Sequence, residues 1–327
     1  MTLQQLRYIV ALDEHRHFAR AAEECMVTQP GLTIQLKNLE EEIGIKIFDR
    51  TKVPLKPTPD GAEIISRARK LLREADAIRD YVVHKKNDLQ GTVTLGVIST
   101  LSPYLIPRFI KAMGQVAPKM QFVIKEGGTG QLMHWLETGD IDIALMATPT
   151  GNAGFREYPV FTEPFVAYLN EGHAMADAEF YTLHPQDKPE LLLLENEYCY
   201  NAQLLDICGL KDGGFNKERF KYEINSIETL KNLVRAGLGF ALVPQLSVLN
   251  EPQNSLYKPF EEPVPVREIS LVVADTFTRK LLLEKMNEAI WNCLPDSIKK
   301  DKPYKKIRWN DSPYFIEKVS EAVKAAR

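Results

Sequence analysis

FARAAEECMVTQPGLTIQLKNLEEEIGIKIFDR, residues 18–50, decides how the first part of this chain folds. Phe18, Ala21, Ala22 and Cys25 recur at helical spacing and predict a short helix. A turn follows, and Thr28 is placed as the N-cap of the next helix. Pro30 falls in that helix's first turn, where a missing N–H costs nothing. Leu32, Leu36, Leu39 and Ile43 then mark one buried face, and Gly44 is the stop. Gln29, Thr33, Ile34 and Lys37 are left pointing outward. Two short helices joined by a tight turn, the second presenting amide, hydroxyl and basic groups, fit the major groove of double-stranded DNA.

The flanks extend this reading. Leu3, Leu6, Ile9, Val10 and Leu12 predict a first helix. Downstream, IKIFDRTKVPLKPTPDG (45–61) reads as strand, basic turn, strand, with Arg50, Lys52 and Lys56 placed to meet phosphates. Residues 1–58 are therefore expected to form a winged helix-turn-helix. Pro59 starts a further helix over 59–87, and Ile64, Ala68, Leu71, Ala75, Ile78 and Val82 alternate steps of four and three along it. Such a heptad seam needs a second copy to bury it, which predicts a dimer. KKNDLQG (85–91) fades into a polar hinge, expected at 88–91.

From residue 92 to 296 the pattern alternates. TVTLGVI, QFVIKEG, DIALMA, VAYLN, LLLL, GFALVP and ISLVVA are strand-like, separated by helical stretches such as PYLIPRFIKAMGQVA and LLLEKMNEAIWNCL. An α/β region with mainly parallel strands is expected, long enough for two subdomains around a cleft. Ligands of such sheets bind beyond the carboxyl ends of strands, here at residues 99–102 and 127–130. Residues 297–327 carry an excess of Lys and Arg and read as a solvated basic tail with a short final helix.

Composition excludes more than it assigns. The chain has 327 residues, a net charge of −3 and four cysteines, so neither a basic coat nor an acidic tail dominates it. No apolar run approaches the roughly 20 residues that span a bilayer, and the N-terminus lacks a secretion signal, so no membrane and a cytoplasmic location are expected. The six histidines are scattered without a shared metal spacing, and no phosphate loop or nucleophile triad appears. No cofactor, no metal and no enzymatic turnover are expected.

Cys199 and Cys208 stand nine positions apart. On one continuous helix that spacing separates their backbones by about 13 Å. A disulfide needs Cα atoms within about 7 Å, so the two thiols join only if the segment is a loop or remodels. In a reducing compartment such a bond is usually catalytic or a sensor. Cys25 and Cys293 sit on apolar helical faces and read as inert.

The stretch from Leu6 to Arg50 resembles the DNA-binding signature of LysR-type transcriptional regulators, and the likeness continues to about residue 296. It implies a winged helix-turn-helix, a long linker helix and a two-subdomain α/β effector domain of the periplasmic-binding-protein kind. The spacing of Cys199 and Cys208, together with SIETLKNLVRAGLGFALVP (226–244), is similar to that of the family's peroxide-sensing members. That likeness implies that Cys199 reacts with hydrogen peroxide, that Cys208 resolves it as a disulfide, and that Thr100 and Thr129 hold the peroxide. It also implies double-stranded DNA, hydrogen peroxide and RNA polymerase as partners, a homodimer or homotetramer, and activation of oxidative-stress genes. The chain departs from those members at Tyr198, where they commonly carry histidine, and at Asn201 and Ala202, where the better-known ones carry an Arg-Asp pair. Tyr198 would supply at most a hydrogen bond, so further support for a Cys199 thiolate would come from a helix starting near Asn201 or from Arg267. A regulator answering to a small organic effector with incidental cysteines, and a non-DNA α/β protein, stay open at this point.

Overall fold

Helix signals in the first sixty residues are all used. In the computed structural model, which describes residues 1–84, 89–182, 191–194, 198–209, 224, 226–251, 257–300 and 303–312, Thr2 opens α1 (Leu3–His15) in a reciprocal capping box with Gln5. α2 (Phe18–Glu24) follows, and then α3 (Gln29–Ile43). The Thr28 hydroxyl accepts from the Gly31 N–H at 3.2 Å, and Gly44 closes α3 at φ 72°, a conformation that favours glycine. β1 (Phe48–Asp49) and β2 (Lys56–Pro57) pair antiparallel as the wing. α4 (Pro59–His84) leaves it at Gly61, where an added Cβ would lie 1.9 Å from the Ile47 carbonyl oxygen. Only glycine allows that approach.

The core of this unit is Leu6, Ile9, Leu12, Leu32, Leu36, Leu39 and Phe48, joined by Ile65, Ala68 and Leu72 from α4. Each fully buried leucine contributes about 2–3 kcal/mol. Arg69 ties α4 to α1 through Asp13 at 3.1 Å and Glu14 at 2.6 Å. The expected seam is thus corrected at two positions: Ala68 is buried in the unit's own core and Ile64 packs against it. Leu71 and Ile78 stay 46% and 69% exposed. The side chain of Val82, residues 85–87 and hinge residue 88 lie outside the described residues.

The second unit begins with β3 (Gln90–Ile98), so Gln90 and Gly91 of the expected hinge are strand residues paired with Lys119 and Met120. α5 (Ser102–Val116), β4 (Lys119–Gly127), α6 (Thr129–Thr138) and β5 (Ile143–Thr148) follow. Next come β6 (Phe155–Tyr168), α7 (Tyr198–Cys208), α8 (Ile227–Arg235), β7 (Ala241–Pro244) and β8 (Tyr257–Pro259). β9 (Val264–Ala274), α9 (Lys280–Cys293), α10 (Asp296–Lys299) and β10 (Tyr304–Lys306) complete it.

β3 pairs parallel with β4 and β5, but β9 runs antiparallel to both β5 and β6. The mainly parallel expectation is corrected there. β6 is long enough to serve two groups of strands: residues 155–164 pair with β9, and 165–168 pair with β7 and β8. Two strands running in opposite directions join the subdomains without a crossover helix. LLLL (191–194) contributes an isolated bridge from Leu191 to Phe240 rather than a strand.

The basic tail is also corrected over its first part. β10 adds parallel to β9, and Ile307 and Trp309 are buried. Residues 313–327, including the expected final helix, lie outside the described residues.

Candidate functional site

On α3, Gln29, Pro30, Ile34 and Lys37 are exposed and Thr33 half-buried, so one face carries all five. The Thr33 hydroxyl donates to the Gln29 carbonyl at 2.9 Å, which leaves its oxygen as an acceptor for an incoming group. Lys37 lies 3.5 Å from Glu41 one turn on, an exposed pair of small energetic weight. In the wing turn Lys52 is exposed, and the Asp49 carboxylate accepts from the Thr51 hydroxyl at 2.6 Å and its N–H at 2.9 Å. Those bonds hold the Asp49 carboxyl below its ordinary range. Arg50 is 3.3 Å from the buried carboxylate of Glu40, a partner that helical patterning did not reveal.

In the second unit, β3 and β4 end side by side, and the Ser99 N–H donates to the Gly127 carbonyl at 3.2 Å. Thr100 follows β3 and Thr129 opens α6, both buried, so the two threonines sit beyond the carboxyl ends of adjacent parallel strands. Arg267, on β9, is 1% exposed. Its Nη1 donates to the Thr100 hydroxyl oxygen at 2.8 Å and its Nη2 to the Thr100 carbonyl at 3.3 Å. Glu163, from β6, takes Nε at 2.9 Å and Nη2 at 2.8 Å on one oxygen, and the Leu246 N–H at 3.1 Å on the other. Burial raises the Glu163 carboxyl, and Arg267 and the Leu246 N–H oppose that without cancelling it.

Two paired antiparallel strands thereby hold a cation against Thr100. Because the Thr100 oxygen already accepts from the guanidinium, its own O–H is directed elsewhere as a donor. Glu163 was missed in the sequence, although a lone acid in PVFTEPFVAY is a readable signal of a buried partner. Tyr104 and Glu228 were missed as well: the Tyr104 hydroxyl donates to Glu228 at 2.8 Å, linking α5 to α8. Burial and then Glu228 push the phenol above its ordinary range.

Cys199 and Cys208 occupy the two ends of α7, both buried and neither in a disulfide. Residues 199–208 are one continuous helix, so about 13 Å of helical rise separates their backbones. Tyr198 is the first residue of α7, and its side chain lies outside the described residues. Asn201 holds the preceding segment, accepting from the Leu194 N–H at 3.2 Å and donating to the Leu194 carbonyl at 2.5 Å. The Tyr200 hydroxyl donates to the Leu242 carbonyl at 2.5 Å. Cys25 and Cys293 are half-buried, and desolvation raises both thiols, which keeps them protonated. Among the described residues no cluster of His, Cys, Asp or Glu is placed to hold a metal ion, and no helix is long and apolar enough to cross a membrane.

The profile of bacterial regulatory helix-turn-helix proteins of the lysR family matches residues 3–62, and that of the LysR substrate binding domain matches residues 86–289. The chain belongs to the LysR family. Among LysR-family relatives it is 34% identical over 274 residues to the hydrogen peroxide-inducible genes activator of Haemophilus influenzae, which covers 83% of this chain and 90% of that one. It is similar to a full-length OxyR variant from Pseudomonas aeruginosa at a TM-score of 0.75 and 34% identity, covering 90% of this chain and 99% of the other. An OxyR mutant from Corynebacterium glutamicum with hydrogen peroxide bound matches at a TM-score of 0.60 and 27% identity, over 91% and 94% of the two chains. LysR-family membership makes the first unit a DNA-binding module of a transcription regulator and the second its regulatory domain.

Proposed function

We propose that this protein is a cytoplasmic, DNA-binding activator of oxidative-stress genes that senses hydrogen peroxide through Cys199 and Cys208. The observation that supports it most is the placement of two buried thiols at opposite ends of one helix, in a domain whose relatives are named for peroxide. The Cys199 thiolate attacks one peroxide oxygen, the O–O bond breaks, and the departing hydroxide takes a proton to become water, leaving a sulfenic acid. The Cys208 thiol then displaces that hydroxyl as a second water, closing the disulfide; peroxide is reduced by two electrons and the cysteine pair is oxidised. Thr100, with its oxygen engaged by Arg267, donates its O–H to the peroxide, and Thr129 lines the same strand ends. Arg267 supplies the positive charge that a thiolate needs and that Tyr198 cannot carry.

A disulfide across α7 requires the helix to unwind, and a covalent bond that fits only the unwound packing shifts the balance toward it. That change alters how the protein engages DNA and RNA polymerase. On DNA, Gln29 and Thr33 read base edges, Ile34 meets a thymine methyl, Pro30 and Lys37 line the same face, and Arg50 and Lys52 hold phosphates. The exposed Leu71 and Ile78, one heptad apart, pair two copies along α4 as a homodimer, from which a homotetramer is assembled.

Two substitutions test the switch because the mechanism makes them unequal. Cys199→Ser abolishes any peroxide-dependent change in DNA footprint, whereas Cys208→Ser accumulates a sulfenic acid at Cys199 that a dimedone tag captures. If both variants respond to peroxide as the parent does, the cysteines are incidental, and a small effector bound in the cleft takes their place.

A further inference from the structure

A carboxylate buried inside the DNA-binding unit has a place in DNA recognition that the reading face alone does not account for. Glu40 lies on the core side of α3 with its side chain fully buried, yet its partners are the wing. One oxygen accepts the Ile47 N–H at 2.9 Å and the Phe48 N–H at 3.4 Å, fixing the backbone as it enters β1. The other takes Lys46 Nζ at 3.2 Å and Arg50 Nη2 at 3.3 Å. Those two cations are 69% and 42% exposed, so each is anchored at the carboxylate and open on its far side.

We infer that Glu40 is a positioning residue for DNA binding, acting through Arg50 and Lys46 to hold the wing's cations ready for phosphate. This rests on the reading that Arg50 meets the DNA backbone. A long cation held by one end loses less side-chain freedom on binding, and Arg has enough donors to keep Glu40 and still meet a phosphate oxygen. The inference opposes what charge alone predicts. Glu40 is a negative charge near a polyanion, so removing it would tighten binding if only net charge counted. Positioning predicts the reverse sign.

The experiment uses the full-length protein and a random-sequence DNA duplex, since phosphate contacts do not depend on sequence, with affinity followed through a salt titration. Arg50→Ala is expected to weaken binding on the order of tenfold. It should also lower the salt slope by about 0.9, the value of one phosphate contact. Glu40→Gln is expected to weaken binding and lower the slope in the same direction, with little further loss when combined with Arg50→Ala. Glu40→Asp keeps the charge at shorter reach and is expected to fall between Glu40→Gln and the parent, which provides the test if the glutamine variant does not fold. Tighter binding by Glu40→Gln, or by Glu40→Asp should it be the only one to fold, overturns the inference. So does an unchanged salt slope, or an equal loss of affinity with and without Arg50, which is what a purely structural role predicts. If Arg50→Ala itself leaves affinity and slope untouched, the phosphate reading of Arg50 fails and the inference falls with it.

Discussion

α3 and α7 are helices of similar length with opposite designs. α3 is specified by its own ends: Thr28 caps one, Gly44 turns the other at φ 72°, and one face is left bare for a ligand. α7 has hardly any bare face. Cys199, Tyr200, Asn201, Ala202, Gln203, Leu204, Leu205 and Cys208 are all buried, Ile207 is half-buried, and among the helix's described side chains only Asp206 is exposed. Among the described residues, the Asn201 bonds to Leu194 and the Tyr200 bond to Leu242 tie it to its surroundings. A helix held by its own caps makes a stable reader. Under the proposed mechanism, one held by its surroundings changes when a single covalent bond changes them.

The largest effect belongs to the buried ion pair between β6 and β9. Arg267→Met leaves Glu163 buried without its cation and should destabilise the regulatory unit by about 3–5 kcal/mol, read by thermal unfolding. At the helix itself, Asn201→Ala removes both bonds to Leu194, should cost about 1–3 kcal/mol, and should speed disulfide closure by loosening α7. The matching change in α3, Thr28→Ala, removes one cap at about 1 kcal/mol and should leave the closure rate alone. Equal closure rates in the two variants would break the contrast between the helices.

The smallest effect is one of pH. Burial alone would raise the Glu251 carboxyl, but hydrogen bonds and charge from Lys231 and Arg235 outweigh it and hold the group below its ordinary range. A depressed carboxyl stabilises the fold above its unfolded pKa of about 4.3 and loses that contribution as pH falls through the folded value. Glu251→Gln should therefore flatten the acid side of the regulatory unit's stability curve, measured by urea unfolding across pH, and leave the neutral side sloping as before.

The same contrast explains what could be read from sequence. The DNA-binding unit was legible nearly residue by residue, because caps, spacing and stop residues act within a few positions. Ile64 and Ala68 are the exceptions: their places on the heptad seam were visible, but their packing against the unit's own core was not. In the regulatory unit the strands were legible and their directions were not, because β6 and β9 meet across about a hundred residues. The pairing of Glu163 with Arg267 is hidden for the same reason, although Arg267 itself was a candidate support for the thiolate. Whether residues 199–208 formed a loop or a helix could not be decided from apolar residues on every side, since a helix buried all round shows no amphipathic stripe. The segment just after β10 did leave a signal: buried Ile307 and Trp309 alternate with exposed Lys306 and Arg308, a period of two that the run of charge obscured.

The central claim is that peroxide joins Cys199 to Cys208. Peptide mapping by mass spectrometry, on the reduced full-length protein before and after a brief substoichiometric peroxide pulse, tests it most directly. The account predicts one new cross-linked species joining Cys199 and Cys208 within a single chain, with Cys25 and Cys293 still thiols because burial raises both. Free Cys199 and Cys208 after the pulse, or oxidation appearing first at Cys25 or Cys293, would contradict it.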